Sequence, residues 1–495
     1  MLLSEAAHLL ITSQVLGDVH TKISGMEIDS RKVKSGDLFI CLPGFTVDGH
    51  DYAAQAIQKG AIALVVERRL ELDIPQLLVS SCRHAMVVLS DHFYNHPSRA
   101  LTMIGITGTN GKTTTSYLIE RIMNDAHINT GLIGTIEMRF NGKATPMPRT
   151  TPESLELQRL LHEMVQSDVK SCVMEVSSHA LEQGRVKGTD YRTAIFTNIS
   201  QDHLDYHETM EEYIAAKGLF FARLGNRYEI DPAKRKYAVL NNDDPAAEYF
   251  RKITAADVIT YGVDHPADVH ASEIRITSQG TTFQLDTFKG NTEMTLKMVG
   301  KFNVYNALAA ITAALIEDIS LEQIKLSLEQ IAGVDGRVES VDEGQPFAVI
   351  VDYAHTPDGL ENVLRTINEF AEGKIITVFG CGGDRDRTKR PLMGQIAAKY
   401  SDYVWITSDN PRTEDPAAIL EDIQKGLQEH HVATEKYECM IDRKQAIEKA
   451  VEMAMPGDVV LIAGKGHETY QIIGQQTLDF DDRLVAKEAI RGLNK

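Results

Sequence analysis

"LTMIGITGTNGKTTTSYLIERIM", residues 101–123, decides the fold: an apolar run, a glycine-rich turn and a helical pattern follow one another. Backbone N–H groups of such a turn, with those at the start of the helix, can bind phosphate oxygens. Lys112 would neutralise phosphate charge, and the Thr113 hydroxyl would reach Mg²⁺. The stretch therefore predicts a nucleotide-binding domain that begins near residue 101.

The turn departs from the standard phosphate-loop pattern G-x-x-x-x-G-K-[ST]. The position five residues before Gly111 is Ile106, and the nearest glycine, Gly105, comes one residue too early. The alternative to a phosphate-binding loop is a glycine-rich turn that has no function in binding and is followed by a lysine by chance. The preceding strand, the following helix and the threonine after the lysine favour a phosphate loop of a particular branch.

The chain predicts three α/β domains, since 495 residues exceed what one hydrophobic core supports. Residues 1–100 alternate short apolar runs with helical stretches. Residues 101–332 add "SCVMEVSS" and "TAIFTNIS", whose polar ends would meet at one edge of a parallel, P-loop ATPase-like sheet. Within this domain, residues 270–300 alternate with period two, which predicts an antiparallel β flap. Residues 333–495 restart the alternation of strands and helices, as in a Rossmann-like doubly wound domain.

Composition argues against several classes of protein. The net charge of -19 disfavours a nucleic-acid or anionic-membrane partner. Five cysteines without a CxxC pair suggest neither a disulfide framework nor a zinc site. The start "MLLSEAAHLLITSQVL" carries Glu5 and no basic residue, which predicts an amphipathic helix and not a signal peptide. No run approaches the roughly 20 apolar residues of a membrane span, so we expect a cytoplasmic protein.

The form Gly-Thr-Asn-Gly-Lys-Thr, residues 108–113, resembles the ATP site of the Mur ligases and the related folylpolyglutamate synthases. The segments "MEVSSHAL", "NISQDHLDYH", "GKFNVYNALAA", "GVDGRVE" and "VDYAHTPDGL" resemble further landmarks of that family, in the same order and over nearly the whole chain. The resemblance implies an ATP-dependent ligase whose first domain, an α/β unit, binds a UDP-sugar. It implies an ATP site formed by Gly108, Thr109, Asn110, Gly111, Lys112, Thr113, Thr114, Asn303, Asn306, Arg337 and Asp352.

Two parts of this ATP site have simpler explanations. Asn303 could cap the start of a helix instead of contacting the nucleotide. Arg337 and Asp352 could form an ion pair between domains, which is compatible with nucleotide binding.

Glu175 and His203 each follow an apolar run and are expected at the sheet edge that carries the phosphate loop. A carboxylate suits Mg²⁺, whereas an imidazole is a less usual ligand for this cation. His203 taken alone would more often orient a ligand than bind the metal. The resemblance implies two Mg²⁺ ions held by Thr113, Glu175, His203 and Lys217, and a catalytic set of Lys112, Glu175, His203 and Lys217.

Lys217 lies on an apolar helix face, with Tyr213 and Phe221 among its neighbours at helical spacing. Lysines at such positions usually cover apolar surface with their aliphatic stem while the ammonium group reaches water. A desolvated lysine, however, has a lowered pKa, and its neutral amine can react with CO2 to form a carbamate. "AAKGLF" resembles the segment in which these ligases carry such a group, which implies that Lys217 is N6-carboxylysine.

"GMEIDSRKVKSGDLFICLPGFTVDGHDY" resembles the start of the UDP-sugar domain in the branch that adds the third residue of the peptidoglycan stem. Ser30 could instead cap a turn. Arg149, within "PRTTPESLELQ", stands where many relatives have asparagine. The resemblance implies a site for UDP-MurNAc-L-Ala-D-Glu formed by Ile28, Ser30, Phe45, Thr46, Val47, Thr150, Thr151, Ser177, Gln183 and Arg185.

"DNPR", residues 409–412, places an arginine after a proline at the end of an apolar run. A guanidinium binds a carboxylate through two hydrogen bonds. The candidate third residues, meso-diaminopimelate and lysine, differ by one carboxylate, and "DNPR" resembles the signature of the diaminopimelate branch. Arg412 would bind the distal carboxylate, unless it is a surface arginine at a helix start. The implied amino-acid site is Arg385, Asp409, Asn410, Pro411, Arg412, Gly464 and Glu468.

Within that site, Asp409, Asn410 and Glu468 are expected to accept from ammonium groups, and Arg385 to bind the other anionic end. The implied reaction joins meso-diaminopimelate to the D-Glu γ-carboxylate through an acyl phosphate, in a monomer. A lysine-adding ligase remains an alternative. A folylpolyglutamate synthase is another alternative, but it should lack the UDP domain. A nucleotide-regulated scaffold is a third, and it should have lost Glu175, His203 or Lys217.

Overall fold

A computed structural model describes residues 1–44, 47–225, 229–277, 280–331, 333, 336 and 338–493, apart from the side chains of Asp205 and Ala233. Contacts between residues group the chain into two units. The first comprises Met1–Gly105, Ile128–Ala194 and Arg223–Lys236. The second comprises Ile106–His127, Ile195–Ala222 and Tyr237–Lys495. The predicted domain boundaries after residues 100 and 332 stay predictions.

The first hundred residues form the expected α/β arrangement. Four strands are parallel in the order β5-β4-β3-β2, and β1 pairs antiparallel with β5. The elements are α1 (Leu3–His8), β1 (Gln14–Leu16), β2 (Gly25–Glu27), β3 (Asp37–Ile40), a 3-10 helix (Gly49–Tyr52), α2 (Ala53–Lys59), β4 (Ala63–Val66), β5 (Gln76–Leu78), α3 (Cys82–Phe93) and a 3-10 helix (Pro97–Ala100).

Alternate residues of β3 pack on opposite faces of this sheet. Leu38 and Ile40 join the core formed with α1 and α3, whereas Phe39 joins the core formed with α2. Because both faces are covered, the strands read as continuous apolar runs. The helix expected over residues 1–16 is shorter than its apolar spacing suggests, because Gln14–Leu16 pairs with β5 as a strand.

The next elements of the chain begin with the strand and the helix on either side of the glycine-rich turn. In the first unit, β7 pairs parallel with β10, and β7, β8 and β9 form an antiparallel run. The elements are β6 (Thr102–Thr107), α4 (Lys112–Asp125), β7 (Thr130–Ile133), β8 (Glu137–Phe140), β9 (Lys143–Pro146), α5 (Ser154–Gln166), β10 (Ser171–Glu175), α6 (Ser178–Glu182), β11 (Thr193–Phe196), α7 (Leu204–His207), α8 (Met210–Ala222) and a 3-10 helix (Pro232–Lys234).

The predicted β flap is confirmed. Strands β12, β13 and β14 are parallel neighbours, and β14, β15 and β16 continue as an antiparallel run. The elements are β12 (Tyr237–Asn241), α9 (Ala246–Ile253), β13 (Asp257–Gly262), β14 (Val269–Thr277), β15 (Gly280–Thr287), β16 (Gly290–Leu296), α10 (Lys301–Ile316) and α11 (Leu321–Gln330).

The C-terminal residues form the predicted doubly wound sheet, ordered β17-β18-β22-β19-β20-β21 and parallel except at β17. The elements are β17 (Glu339–Ser340), β18 (Ala348–Asp352), α12 (Pro357–Phe370), β19 (Ile375–Phe379), α13 (Lys389–Tyr400), β20 (Tyr403–Thr407), α14 (Pro416–Glu429), a 3-10 helix (Thr434–Lys436), β21 (Tyr437–Met440), α15 (Arg443–Met453), β22 (Val459–Ala463), β23 (Tyr470–Ile473), β24 (Gln476–Asp479) and α16 (Asp482–Leu493).

Two hydrophobic cores sandwich this sheet. Val404 and Ile406 of β20 face α12, α13 and α14, whereas Trp405 faces α15 and α16. The carboxyl ends of β18, β19, β20 and β22 therefore meet at one edge, which is where open α/β sheets bind ligands. Of the helices that the structure describes, none is long and apolar enough to cross a membrane.

Candidate active site

The glycine-rich turn between β6 and α4 is built so that only glycine fits at two positions. Gly108 has a φ of 149° and Gly111 has a φ of 82°, a left-handed conformation that side chains rarely adopt. A Cβ atom at Gly108 would clash with Thr197, and one at Gly111 would clash with the Asn306 side chain. The turn therefore brings bare backbone to the start of α4, as phosphate binding requires.

Residues that follow β11 hold this turn in place. The Thr109 amide donates to the Asn198 carbonyl at 2.8 Å, and the Asn110 amide donates to the Asn198 side chain at 2.9 Å. The Thr197 hydroxyl donates to the Asn110 carbonyl at 2.7 Å. These bonds order the turn before any ligand arrives, which lowers the entropic cost of binding.

Two lysines converge on the turn. Lys112 donates to the carbonyls of Gly108 and Thr109 at 2.9 and 2.6 Å, and Lys217 donates to the same Gly108 carbonyl at 2.8 Å. The Lys217 side chain is buried, and its Nζ lies 4.4 Å from the centre of the Tyr213 ring. Burial, reinforced by the charge of Lys112, holds the pKa of Lys217 well below its ordinary value, and Asp202 opposes the shift.

Helix α10 places both predicted asparagines, Asn303 and Asn306, near the glycine-rich turn. Gly300 occupies the N-cap position, so the simple capping role considered for Asn303 is wrong. The Asn303 side chain instead donates back to the Val299 carbonyl at 3.0 Å, and Asn306 donates to Asn303 at 3.2 Å. Because Asn306 lies against Gly111, this pair is positioned next to the glycine-rich turn.

A charged cluster follows the residues after β11 that bind the turn. The His203 Nε2 lies 3.4 Å from the Asp202 carboxylate, and the backbone of His203 is left-handed, with a φ of 57°. Burial alone would raise the pKa of Asp202, but His203, His355, Lys389 and Lys112 lower it overall. Asp202 thus stays ionised among cationic groups.

Asp358, at the start of α12, reaches the turn from the C-terminal sheet. Its carboxylate accepts from the Asn110 side chain at 2.7 Å and from the Ser200 hydroxyl at 3.0 Å. Burial raises the pKa of Asp358, although the bonds from Ser200 and Asn110 oppose the shift. Sequence reasoning missed Asp358, because its partners lie 248 and 158 residues away.

The C-terminal sheet also carries Asp352, at the end of β18. Its carboxylate accepts from the amides of Val338 and Ala354, both at 2.7 Å. Arg337, its predicted companion, lies outside the described residues. Thr113 and Thr114, in the first turn of α4, are both buried.

In the first unit, Glu175 ends β10 and is buried. Its two carboxylate oxygens accept from the Thr135 amide at 2.9 Å and from the Thr135 hydroxyl at 2.8 Å. The Thr150 hydroxyl lies 3.1 Å from that of Thr135. The predicted residues Thr150 and Glu175 are thus joined through one shared threonine.

Three further predicted residues come together around Thr151, which is itself predicted. The Ser177 amide donates to the Thr151 hydroxyl at 3.1 Å, and Arg185 donates to the Thr151 carbonyl at 3.2 Å. Arg185 also donates to Gln183 at 2.7 Å. Thr151, Ser177, Gln183 and Arg185 therefore form a continuous hydrogen-bonded cluster.

Glu153 is the centre of this cluster, and sequence reasoning missed it. Its carboxylate binds Arg83, Arg149 and Arg185 at 3.0, 3.2 and 3.0 Å. Three guanidinium groups around one carboxylate leave an excess of positive charge, which favours an anionic ligand. Arg149, the residue that departs from the family pattern, is the exposed member.

The N-terminal part of the predicted UDP site is partly described. The Ser30 hydroxyl donates to Gln55 at 2.6 Å, across 25 residues, so capping a local turn does not explain it. Ile28 is partly buried and packs against the hydrophobic core formed with α1 and α3, whereas Val47 is exposed. Phe45 and Thr46 lie outside the described residues.

At the end of β20, the two predicted arginines approach each other around Gly382. A Cβ atom there would lie 2.9 Å from Arg412 Nη1 and 3.7 Å from Arg385 Cγ. Arg412 donates to the Gly383 carbonyl at 2.8 Å, and its backbone is left-handed, with a φ of 52°. Hairpin β23–β24 holds that backbone, because Arg412 N donates to Ile472 and Gly474 N donates to Arg412.

The remaining predicted residues of this edge are also adjacent. Gly464, with a φ of 116°, lies so close to Asp409 that a Cβ atom would be 2.8 Å from its carboxylate. Asn410 donates to Glu468 at 2.8 Å. Burial and Asp409 raise the pKa of Glu468, while Lys465 and Asn410 oppose the shift. Sequence reasoning missed Lys465, which donates to the same carboxylate, and Tyr470, whose ring lies beside the Lys465 ammonium group.

Three family models match consecutive stretches of the chain. They are described as "Mur ligase family, catalytic domain" at residues 22–97, "Mur ligase middle domain" at 106–314 and "Mur ligase, glutamate ligase domain" at 336–466.

Relatives match nearly the full length. The UDP-N-acetylmuramoyl-L-alanyl-D-glutamate–2,6-diaminopimelate ligase of Bacillus cereus is 54% identical over 95% of this chain and 94% of that protein. The ligase of the same name from Listeria monocytogenes is 51% identical, again over 95% and 94%. A solved structure titled with that name has 32% identity and a TM-score of 0.70, covering 100% of this chain and 99% of the other. The chain belongs to the Mur ligase family.

Proposed function

We propose that the protein joins meso-diaminopimelate to the γ-carboxylate of D-glutamate in UDP-MurNAc-L-Ala-D-Glu, with ATP as co-substrate. The observation that carries the proposal is the approach of Arg385 and Arg412 at a sheet edge that also presents Asp409 and Glu468. Two guanidinium groups and two carboxylates complement an amino acid with two carboxylates and two ammonium groups. Relatives at 51–54% identity that are named for this reaction support the same assignment.

The reaction follows from these groups in two displacements. An oxygen of the γ-carboxylate attacks the γ-phosphorus of ATP, the bond to the β-phosphate oxygen breaks, and an acyl phosphate and ADP result. The neutral amine of diaminopimelate then attacks the acyl carbon, phosphate leaves, and the nitrogen loses a proton as the amide forms. The turn from Gly108 to Lys112 would bind the phosphates, with Thr113, Thr114, Asn303, Asn306, Arg337 and Asp352 completing the nucleotide site.

The chemistry of the donor set fits Mg²⁺ if Lys217 is carboxylated. The described residues contain no group of three His, Cys, Asp or Glu side chains able to hold a metal. A set of Thr113, Glu175, His203 and carboxylated Lys217 would supply oxygen ligands that an unmodified lysine lacks. Two bound Mg²⁺ ions would supply neutralisation of the triphosphate charge.

The state of Lys217 supports this modification. Its lowered pKa leaves a fraction of neutral amine, whose nitrogen attacks the carbon of CO2 and loses one proton to give a carbamate. The product replaces an ammonium by an anion in a pocket that already contains Lys112. Unlike a solvent-reaching lysine, Lys217 keeps its Nζ buried at the Gly108 carbonyl.

In the first unit, the hydrogen-bonded cluster of Thr150, Thr151, Ser177, Gln183 and Arg185 would bind the muramoyl-dipeptide. Ile28, Ser30, Phe45, Thr46 and Val47 would bind the uridine diphosphate. This division corresponds to a UDP-sugar domain at residues 1–100, an ATP domain at 101–332 and an amino-acid domain at 333–495. Lys112, Glu175, His203 and Lys217 are the proposed catalytic residues, in a monomeric cytoplasmic enzyme of peptidoglycan precursor synthesis.

A lysine-adding ligase is the second candidate. Lysine lacks the distal carboxylate, so its ligation would leave the Arg412 guanidinium, already bonded to Gly383, without an anionic partner. The match of the N-terminal family model at residues 22–97 speaks against a folylpolyglutamate synthase, for which no UDP domain is expected.

Phosphate release with UDP-MurNAc-L-Ala-D-Glu, ATP and each amino acid in turn tests the proposal. We expect turnover with meso-diaminopimelate and at least about tenfold lower kcat/KM with lysine, because a charge-assisted bond contributes about 1.5–3 kcal/mol. Equal turnover with both amino acids would contradict the specificity. Release that needs no amino acid would contradict the ligase reaction itself.

Arg412→Ala should reduce kcat/KM for meso-diaminopimelate by about 10- to 150-fold and leave the KM for ATP unchanged. Arg365→Ala is the matched control, because Arg365 is 60% exposed and pairs with Glu361 on the surface of α12. A uniform effect of Arg412→Ala on all three substrates would instead indicate a structural role.

A further inference from the structure

Lys465, in the turn after β22, is a lysine with no solvent exposure. Its Nζ donates to the Asn410 side chain at 3.1 Å and to the Glu468 carboxylate at 2.9 Å. It also lies 5.5 Å from the centre of the Tyr470 ring. An ammonium group is costly to bury unless it is paired, so this arrangement retains a buried charge at the amino-acid site.

The bonds of Asn410 show what Lys465 does to its neighbour. The side-chain oxygen of Asn410, Oδ1, accepts from Lys465 at 3.1 Å and from the Ile472 amide at 2.9 Å, which uses both of its acceptor positions. The amide nitrogen of Asn410 donates to Glu468 at 2.8 Å. Rotating the side-chain amide by 180° would turn its NH2 group toward the ammonium of Lys465. Lys465 therefore sets the orientation of Asn410.

The charges around Glu468 show a second effect. The Glu468 side chain is only 13% exposed, and the negative charge of Asp409 repels its carboxylate. The opposing positive groups are Lys465, in direct contact, and the buried Arg443. Tyr470 lies beside them, within the field of Arg412 and Arg385. Without Lys465, two neighbouring carboxylates would share a poorly solvated edge, which favours protonation of one of them.

We propose that Lys465 is a positioning residue for the incoming amino acid: it orients Asn410 and pairs with the Glu468 carboxylate, so that Glu468 can bind a substrate ammonium group. The proposal rests on the proposed function, which assigns Glu468 that role. Lys465 is covered by its neighbours and acts through them without touching the substrate. The match to the glutamate ligase domain extends over Lys465 but assigns it no role.

The test is the KM for meso-diaminopimelate of Lys465→Met as a function of pH, relative to the wild type at each pH. At about pH 7 the variant's KM should be at least about tenfold higher, because a protonated Glu468 is a poor acceptor for an ammonium group. Rising pH favours the ionised form of Glu468 in the variant, so the ratio of the two KM values should fall as the pH rises. The KM values for ATP and UDP-MurNAc-L-Ala-D-Glu should change less than about twofold.

Lys449→Met is the matched control, because Lys449 is 54% exposed and pairs with Glu452 on the surface of α15. Its KM for meso-diaminopimelate should equal that of the wild type at every pH. Lys465→Gln is a second variant that keeps a hydrogen-bond donor without the charge. It should show the same pH-dependent ratio, and it provides the test if Lys465→Met does not fold.

The outcomes separate this inference from the proposed function. No turnover of meso-diaminopimelate by the wild type contradicts the proposed function, and the inference falls with it. Wild-type turnover with an unchanged KM in both variants contradicts the role of Lys465 alone. A ratio that is raised equally at all pH values, with equal changes for all three substrates, also overturns the inference, because it indicates loss of structure.

Discussion

Lys112 and Lys217 donate to the same carbonyl oxygen, that of Gly108, at 2.9 and 2.8 Å. Lys112 is the first residue of α4, and Lys217 lies in the interior of α8. The two side chains meet at the turn that would bind phosphate. Burial, and after it the neighbouring charge of Lys112, disfavour the charged form of Lys217 and hold its pKa well below its ordinary value. The pair places a buried lysine, whose charged form is disfavoured, beside the glycine-rich turn.

Lys217→Met should reduce ligase activity by at least about 100-fold, because it removes the amine that would carry the metal-binding carbamate. Removing dissolved CO2 and bicarbonate should lower wild-type activity, and adding bicarbonate should restore it. Lys252→Met, at a lysine that is 69% exposed, is the control and should behave as the wild type. Activity in Lys217→Met near the wild-type level, or no response of the wild type to bicarbonate, would contradict the carbamate.

Gly111→Ala should weaken ATP binding and lower the free energy of unfolding by more than about 1 kcal/mol, because the added Cβ meets Asn306 and the φ of 82° is strained. Gly142→Ala separates these two causes. Gly142 has a φ of 73°, but nothing lies within 4 Å of its hypothetical Cβ. Thermal unfolding and nucleotide titration should show a larger defect for Gly111→Ala, and equal defects would indicate that backbone strain alone matters.

Arg443→Met should lower the free energy of unfolding by about 3–5 kcal/mol, because it leaves the buried Asp482 carboxylate unpaired. The two side chains have no solvent exposure and share two hydrogen bonds, at 2.8 and 2.7 Å. Denaturant unfolding of Arg443→Met and of Arg443→Met/Asp482→Leu measures the effect. The double variant should recover most of the loss, and a double variant as unstable as the single one would refute this explanation.

Glu414 should contribute to stability at neutral pH and lose that contribution in acid. The hydrogen bond from Arg390 lowers the pKa of Glu414 from 4.5 to about 2. Because the folded-state pKa is the lower one, the contribution is present above pH 4.5 and disappears as the pH falls toward 2. The difference in unfolding free energy between wild type and Glu414→Gln should shrink over that range. Glu429→Gln, at an exposed position, should differ from wild type by less than about 0.5 kcal/mol throughout.

Local patterns made much of the architecture predictable. The glycine turn between an apolar run and a helix located β6 and α4, and the period-two segment located the flap of β14, β15 and β16. The N-terminal helix was predicted too long, because its apolar spacing also suits a strand once β5 supplies a pairing edge.

The residues that sequence reasoning missed have partners far away along the chain. Lys465 binds Asn410 across 55 residues, Glu153 binds Arg83 across 70, and Asp358 binds Asn110 across 248. A lysine or an acid in a turn usually faces solvent, so no local signal distinguishes these three from ordinary surface charges. Only the tertiary fold shows that Lys465 is buried and that all three are paired.

Under the role proposed for Arg412, its left-handed backbone limits how the amino-acid preference could change, in nature or by engineering. With a φ of 52°, held on both sides by the β23–β24 hairpin, the position accepts asparagine, aspartate or glycine far more readily than valine, isoleucine or threonine. A path toward a substrate without the second carboxylate therefore passes most easily through small polar residues. A bulky apolar replacement would require the hairpin to be redesigned together with it.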